Sequence, residues 1–306
     1  MKIVALAGGV GGAKLADGLA QILPPADLTI IVNTGDDFEH LGLHISPDLD
    51  TVCYTLAGLA NLATGWGRAD ESWHAFEGMT KLGGPDWFRL GDRDLATHLE
   101  RTRRLRAGDS LSAITRDFCR AWGVKPTVLP MSDDPAPTIV LTSEGELPFQ
   151  EYFVHRGCQP QVTGFRLEGH PRPAPGALEA LRATDAVVIC PSNPWVSVDP
   201  VLGVRGLREL TQTCRVVAVS PIVGGQAIKG PAAKMYAELG ITPSALAVAK
   251  HYGALLDGFV LDTVDAALAA LLKIPVLATQ SIMDTPASRA RLAQEIVNFI
   301  EGEILL

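Results

Sequence analysis

The chain has 306 residues, 47% of them hydrophobic and 20% charged, enough to bury about 75% of its unfolded surface, which excludes a disordered or fibrous protein. A formal charge of -8 argues against a nucleic-acid partner, whose binding rests on clustered Lys and Arg releasing counterions. The absence of any uncharged apolar run of about 18 residues argues against a membrane partner, and five scattered cysteines without a Cys-x-x-Cys pair fit a reducing, cytoplasmic setting.

The first apolar run, residues 2–7, is broken by Gly8 to Gly12, after which Leu15, Leu19, Ile22 and Leu23 recur at helical spacing. This is strand, glycine loop, helix. The start is not read as a leader, because charges return at Lys14 and Asp17. A second run, Leu28 to Val32, completes a β-α-β unit and ends in Asn33-Thr34-Gly35-Asp36-Asp37. Parallel strands of this kind sit inside a sheet and bind ligands at their carboxyl ends. From Asp48 to Arg120 helical patterns follow one another, at about 50–62, 72–82, 92–106 and 110–121, with Asp92 and Ser110 as N-caps. Arg101 to Arg106 reads as a solvated helix face.

Strand patterns resume at 127–130, 138–142, 149–154 and 161–167, then Ala186 to Cys190, Arg215 to Ser220, Gly258 to Leu261 and Pro275 to Ala278. Helices are expected at 175–183, 230–239, 244–251 and 286–301. The fold expected is α/β, a Rossmann-like parallel-sheet core over residues 1–306 as one unit, with a mostly helical insertion at about 60–125 covering the active site.

The loop GGVGGAK, Gly8 to Lys14, obeys neither well-known phosphate loop. A dinucleotide fingerprint from Gly9 has Gly11 but needs Gly or Ala where Lys14 stands, and the acid that holds an adenosine ribose is replaced by Asn33. A Walker loop from Gly8 needs Gly and Ser or Thr where Ala13 and Leu15 stand. What survives is phosphate binding by backbone amides of Gly9, Gly11 and Gly12, the helix N-terminus and Lys14. Four acids, Asp36, Asp37, Asp48 and Asp50, follow nearby. Carboxylates beside a phosphate loop repel substrate and one another unless a hard cation lies between them, which points to Mg²⁺; helix capping by Asp48 and Asp50 is the simpler alternative. Arg89 in a charged cluster, Ser192 and Asn193 after the strand at Ala186, and the glycine-bearing loop Ser220 to Gln226 add further ligand-binding groups, or else a surface salt-bridge network and stiff strand exits. His44, His98, His155 and His251 show no metal-ligand spacing and are read as structural.

The segments GGVGGAKLADGL (8–19), NTGDDFEHLGLHISPDLDTVCYTLAG (33–58), WFRLGDRDLATHL (87–99), PSNPWVSVDP (191–200) and SPIVGGQAIKGPA (220–232) together resemble the 2-phospho-L-lactate transferases of deazaflavin coenzyme F-420 biosynthesis. The resemblance covers nearly the whole chain. It implies an enzyme that moves a phospho-acid group from a guanosine diphosphate-activated small acid to 7,8-didemethyl-8-hydroxy-5-deazariboflavin and releases GMP. It also implies a homodimer, the deazaflavin near Asp50 and Arg89, and the nucleotide along the glycine loop and the Ser192-Asn193 loop. Combined with the reading of the acids, Mg²⁺ is expected on Asp36 and Asp50, with Asp50 as either metal ligand or base. A non-catalytic nucleotide or nucleotide-sugar sensor of the related gluconeogenesis-factor-like branch is the alternative.

Overall fold

The computed structural model describes residues 1–305. Strand β1 (Ile3–Ala7) runs into helix α1 (Gly9–Ile22), and β2 (Leu28–Val32) returns parallel to β1. After a hairpin, Phe38–His40 with Leu43–Ile45, come helices α2 (Pro47–Leu56), α3 (His74–Lys81), α4 (Asp92–Arg106) and α5 (Leu111–Ala121), and then β3 (Thr127–Pro130). A three-stranded antiparallel sheet (Thr138–Thr142, Gly145–Pro148, Val162–Leu167) precedes β4 (Ala186–Ile189), β5 (Arg215–Val219), β6 (Gly258–Asp262), β7 (Val276–Thr279) and helix α6 (Pro286–Phe299).

The seven numbered strands form one parallel sheet in the order β3-β2-β1-β4-β5-β6-β7. Side chains alternate across it. Ile3, Ala5 and Ala7 join one core with α1, α2, α5 and α6, while Val4 and Leu6 join another with the helices at 177–183, 232–238 and 245–252. Burial on both faces explains the unbroken apolar runs of these strands. The connection reverses direction between β1 and β4, which opens a crevice at their carboxyl ends. Of the region between 60 and 125, α5 packs into the core through Leu111 and Cys119. No helix among the described residues is long and apolar enough to cross a membrane.

Local structure departs from the sequence reading in five places, each with a physical cause. The strand expected at 149–154 is a wide helical turn, closed by Arg156 N–H donating to the Glu151 carbonyl at 2.9 Å. Phe149 and Phe153, four residues apart, stack at 5.3 Å, the helical spacing of aromatics that a short apolar run disguises. The helix expected at 50–62 spans Pro47–Leu56 instead, since proline begins a helix well and Gly58, at φ 68, ends it.

Asp92 does not cap its own helix. Its carboxylate accepts from the amides of His74 and Ala75 at 3.2 and 3.0 Å, capping α3, while Glu71 accepts from Arg93 and Asp94 at 2.7 and 2.8 Å and caps α4. Ser110 caps α5 as expected, accepting from Ala113 N–H at 3.2 Å. Nor is 101–106 a wholly solvated face, because Arg101 is 2% exposed. The hairpin at 38–45 has no counterpart in the sequence reading, because its turn uses Leu41 at φ 54 before Gly42 at φ 70, and leucine is a poor turn signal.

Candidate active site

Loops at the carboxyl ends of β1, β2, β4, β5 and β7 enclose a cavity of about 590 Å³. Its wall includes Gly9, Gly11, Lys14, Asp36, Arg89, Ser192 and Asn193 of the residues expected from sequence, but neither Gly12 nor Asp50.

The glycine loop owes its composition to crowding. A side chain at Gly11 would drive its first carbon into the Pro191 carbonyl, and one at Gly12 would meet Ser192 Oγ at 2.6 Å. Ser192 Oγ accepts from Gly8 N–H at 3.0 Å and donates to the Gly8 carbonyl at 2.8 Å, so the loops after β1 and β4 are latched together. Helix α1 begins with no cap from Gly8 and no acid in its first turn; Asp48 takes the Gly9 amide, and the amides after it are available to an anion. Lys14 sits beside them. Burial, and then Arg289, hold its pKa below the ordinary lysine value.

We expect Gly11→Ala to cost about 1–3 kcal/mol from the forced overlap and to weaken the binding of a phosphate ligand at this loop, with inorganic phosphate or a nucleotide as probe. Thermal melts and titration calorimetry check both; unchanged affinity would remove the loop from the ligand.

The carboxylates pair differently from the sequence expectation. Asp36 and Asp48, 5% and 6% exposed, both accept from Asn33 Nδ2, at 3.0 and 2.9 Å. Asp36 also accepts from Gln150 Nε2 at 3.4 Å. Burial and then the Asp48 charge push Asp36 well above the usual carboxylate range, against the bond from Asn33. Burial pushes Asp48 up to about 6, opposed by Asn33 and the Gly9 amide. Asp37 is turned aside, accepting from Ser46 Oγ at 2.7 Å and facing His44 Nε2 at 3.0 Å, where it braces the hairpin.

Asp50 faces the other way. Residues two apart on a helix diverge by about 200°, so with Asp48 toward the glycine loop, Asp50 points at α4. There it accepts from both terminal nitrogens of Arg101, Nη1 lying at 2.9 Å. His98 lies 3.7 Å from Asp50 and 3.3 Å from Asp94, and Asp94 also accepts from Tyr54 Oη at 2.8 Å. Burial works to lower Arg101, but Asp50 outweighs it and holds the guanidinium above its ordinary pKa. His98 is thus a buried structural group. His44, His155 and His251 each face a carboxylate, of Asp37, Glu151 and Asp199.

The rest of the cavity wall is aromatic. Trp66, Trp87, Phe88, Phe149 and Phe153 line it with Ile228, Ile282 and Met283. Trp87 and Phe88 pack edge-on at 5.6 Å, and Phe88 meets Phe38 at 4.9 Å. Arg89 lies over the Trp73 ring at 4.5 Å from its centroid, a cation held at the rim by stacking. Four wall residues are well exposed: Trp66 46%, Phe153 37%, Ile228 52% and Ile282 41%. Against the buried acids, these figures make Trp66, Phe153, Ile228 and Ile282 the rim, with Phe149, 6% exposed, deeper beside the carboxylates of the floor. Gln150 and this aromatic set escaped the sequence reading, which counted Asp48 among four nearby acids but expected the cation on Asp36 and Asp50; the phase of α2 set by buried Leu49, Val52 and Cys53 is the signal that turns Asp48 toward the glycine loop.

Among the described residues no three or more His, Cys, Asp or Glu side chains gather as a metal centre. The Asp36–Asp48 pair nevertheless suits a hard cation: two buried carboxylates on one amide, in a cavity with room for phosphate oxygens. Mg²⁺ takes one or two carboxylates and completes its shell with water and substrate.

The family model described as "2-phospho-L-lactate transferase CofD" matches residues 3–303. A phosphoenolpyruvate transferase of Streptomyces griseus is 44% identical over 99% of this chain and 100% of its own length. A 2-phospho-L-lactate transferase of Methanosarcina mazei is 40% identical over 87% of this chain and 88% of its own. A solved structure from Bacillus halodurans, a member of the UPF0052 family, shares the fold with a TM-score of 0.65 at 16% identity, covering 97% of this chain and 98% of that one.

Proposed function

The chain belongs to the 2-phospho-L-lactate transferase family, and from that premise we propose that it builds a coenzyme F-420 precursor. In this reading it moves a phosphoenolpyruvyl or 2-phospholactyl group from a guanosine diphosphate-activated donor to the ribityl hydroxyl of 7,8-didemethyl-8-hydroxy-5-deazariboflavin. The observation that carries the proposal is one cavity joining a phosphate-type glycine loop and two buried carboxylates to a broad aromatic rim. A diphosphate and a planar tricyclic ring need those two surfaces side by side. A nucleotide sensor would need only the first.

Phosphoryl-type transfer asks the protein mainly for placement and charge. The amides at the start of α1 and the Lys14 ammonium hold the donor's diphosphate. Trp66, Trp87, Phe88 and Phe153 take the ring faces of the acceptor, with Arg89 at its edge, and exclude water. The acceptor hydroxyl oxygen forms a bond to the phosphorus that carries the acid. The bridging oxygen leaves with GMP, and the hydroxyl proton passes to the Asp36–Asp48 pair. Mg²⁺ on those carboxylates would supply charge neutralisation at the diphosphate.

Six phosphoenolpyruvate transferases stand at 39–46% identity to this chain and two 2-phospho-L-lactate transferases at 38–40%, so the phosphoenolpyruvyl donor is the first to try. Incubation of each donor with the deazariboflavin and Mg²⁺ is expected to release one GMP per phospho-deazaflavin formed, and EDTA to stop it. No GMP from either donor would sink the reading.

A further inference from the structure

At the end of β2, where a dinucleotide-binding fold would offer an acid to its ligand, this chain has Asn33 turned inward and fully buried. Its carbonyl oxygen accepts from Gly35 N–H at 2.8 Å, which fixes the amide's orientation. Its nitrogen then faces three acceptors: Asp36 Oδ1 at 3.0 Å, Asp48 Oδ2 at 2.9 Å and the Val196 carbonyl at 3.1 Å. A flipped amide would set oxygen against three oxygens, so the network admits one assignment.

The three acceptors come from three separate loops, after β2, at the start of α2 and after β4. An amide nitrogen has two hydrogens. Three acceptors share two hydrogens, and both carboxylates border the cavity. Among the described residues no other side-chain donor bridges them; Gln150 reaches Asp36 alone, at 3.4 Å, and Ser197 lies against Asp48 alone.

We propose that Asn33 is the positioning residue of the site: a clasp that gathers Asp36 and Asp48 onto one nitrogen so that a divalent cation meets both at once. Without it, two like charges on separate loops separate, and the cation meets one carboxylate at a time. The claim deepens the metal part of the function proposed above and rests on it, but not on the identity of donor or acceptor.

Its test uses Mn²⁺ as the probe, with no substrate present, followed by electron paramagnetic resonance and calorimetry on the full chain. Asn33→Leu, similar in volume without the amide, is expected to weaken Mn²⁺ binding by roughly 10- to 100-fold, the range typical of residues that orient metal ligands. Asn33→Ala, which leaves space for a water, serves if the leucine variant does not fold. Asp257→Asn is the control. Asp257 accepts from Val216 N–H at 2.8 Å at the opposite end of the sheet, so it is expected to lower the melting temperature and leave Mn²⁺ affinity unchanged. Wild-type affinity in the Asn33 variants would overturn the clasp alone. Equal weakening in the control would reduce Asn33 to a general support. No Mn²⁺ binding by the wild-type chain would overturn the cation site and the clasp together.

Discussion

Asp48→Asn is expected to lower turnover by roughly 10²- to 10³-fold, the scale of losing one preorganised electrostatic group, while making the metal-free chain more stable at pH 8. The second half follows from the sign of its pKa. Burial, opposed by Asn33 and the Gly9 amide, raises Asp48 from 3.8 to about 6 in the folded chain. A carboxyl raised on folding prefers to be protonated there, so stability falls as pH rises from about 3.8 to 6 and the full penalty persists above that. At about 1.4 kcal/mol per pKa unit the penalty is on the order of 1–3 kcal/mol. Asparagine removes the charge and keeps an acceptor for Asn33. Melting curves in EDTA are therefore expected to coincide below pH 4 and to separate in favour of the variant at pH 8, while GMP release collapses. A variant that is less stable at pH 8, or turns over normally, would remove Asp48 from the role assigned to it.

Asp50→Ala is expected to do its damage through folding. It strands the Arg101 guanidinium, 2% exposed, without its bidentate partner, and breaking a buried pair from one side typically costs about 3–5 kcal/mol. The double change Asp50→Leu with Arg101→Met takes both charges away together and is expected to recover most of that loss, since paired removal spares the stranded ion. Urea unfolding of the two variants separates the outcomes. If the alanine variant unfolds like wild type and only turnover drops, Asp50 acts on the ligand, and the ion pair is not its main role.

The sheet was legible because parallel strands buried on both faces are written as unbroken apolar runs, and β1, β2 and β3 match their expected bounds within a residue. The glycine loop was legible for a similar reason, since the bulk excluded at Gly11 and Gly12 leaves a compositional trace. The choice between Asp48 and Asp50 was not, because it depends on a helix phase set by Leu49, Val52 and Cys53 packing on α1 and the sheet. The aromatic rim was harder still. Trp66, Trp87 and Phe153 come from three stretches without a common period, and only tertiary packing places them around one opening.

Helix α1, which carries the glycine loop, packs closely on α6. Any side chain at Gly18 would collide with the Arg289 backbone, and Arg289 Nη1 donates to Asp17 at 3.0 Å. Strand β1 likewise pairs with β4, more than 180 residues later. During synthesis, then, β1 and α1 are made well before β4 and α6, the partners that complete their packing. At about 5–20 residues per second, the nascent β1 and α1 wait roughly 15–60 s for α6, with the α1 face that α6 covers exposed meanwhile. Chaperone demand should therefore concentrate on the α1 face that waits for α6, and a split between α1 and α6 should yield two fragments that recover the glycine-loop geometry only on reassociation.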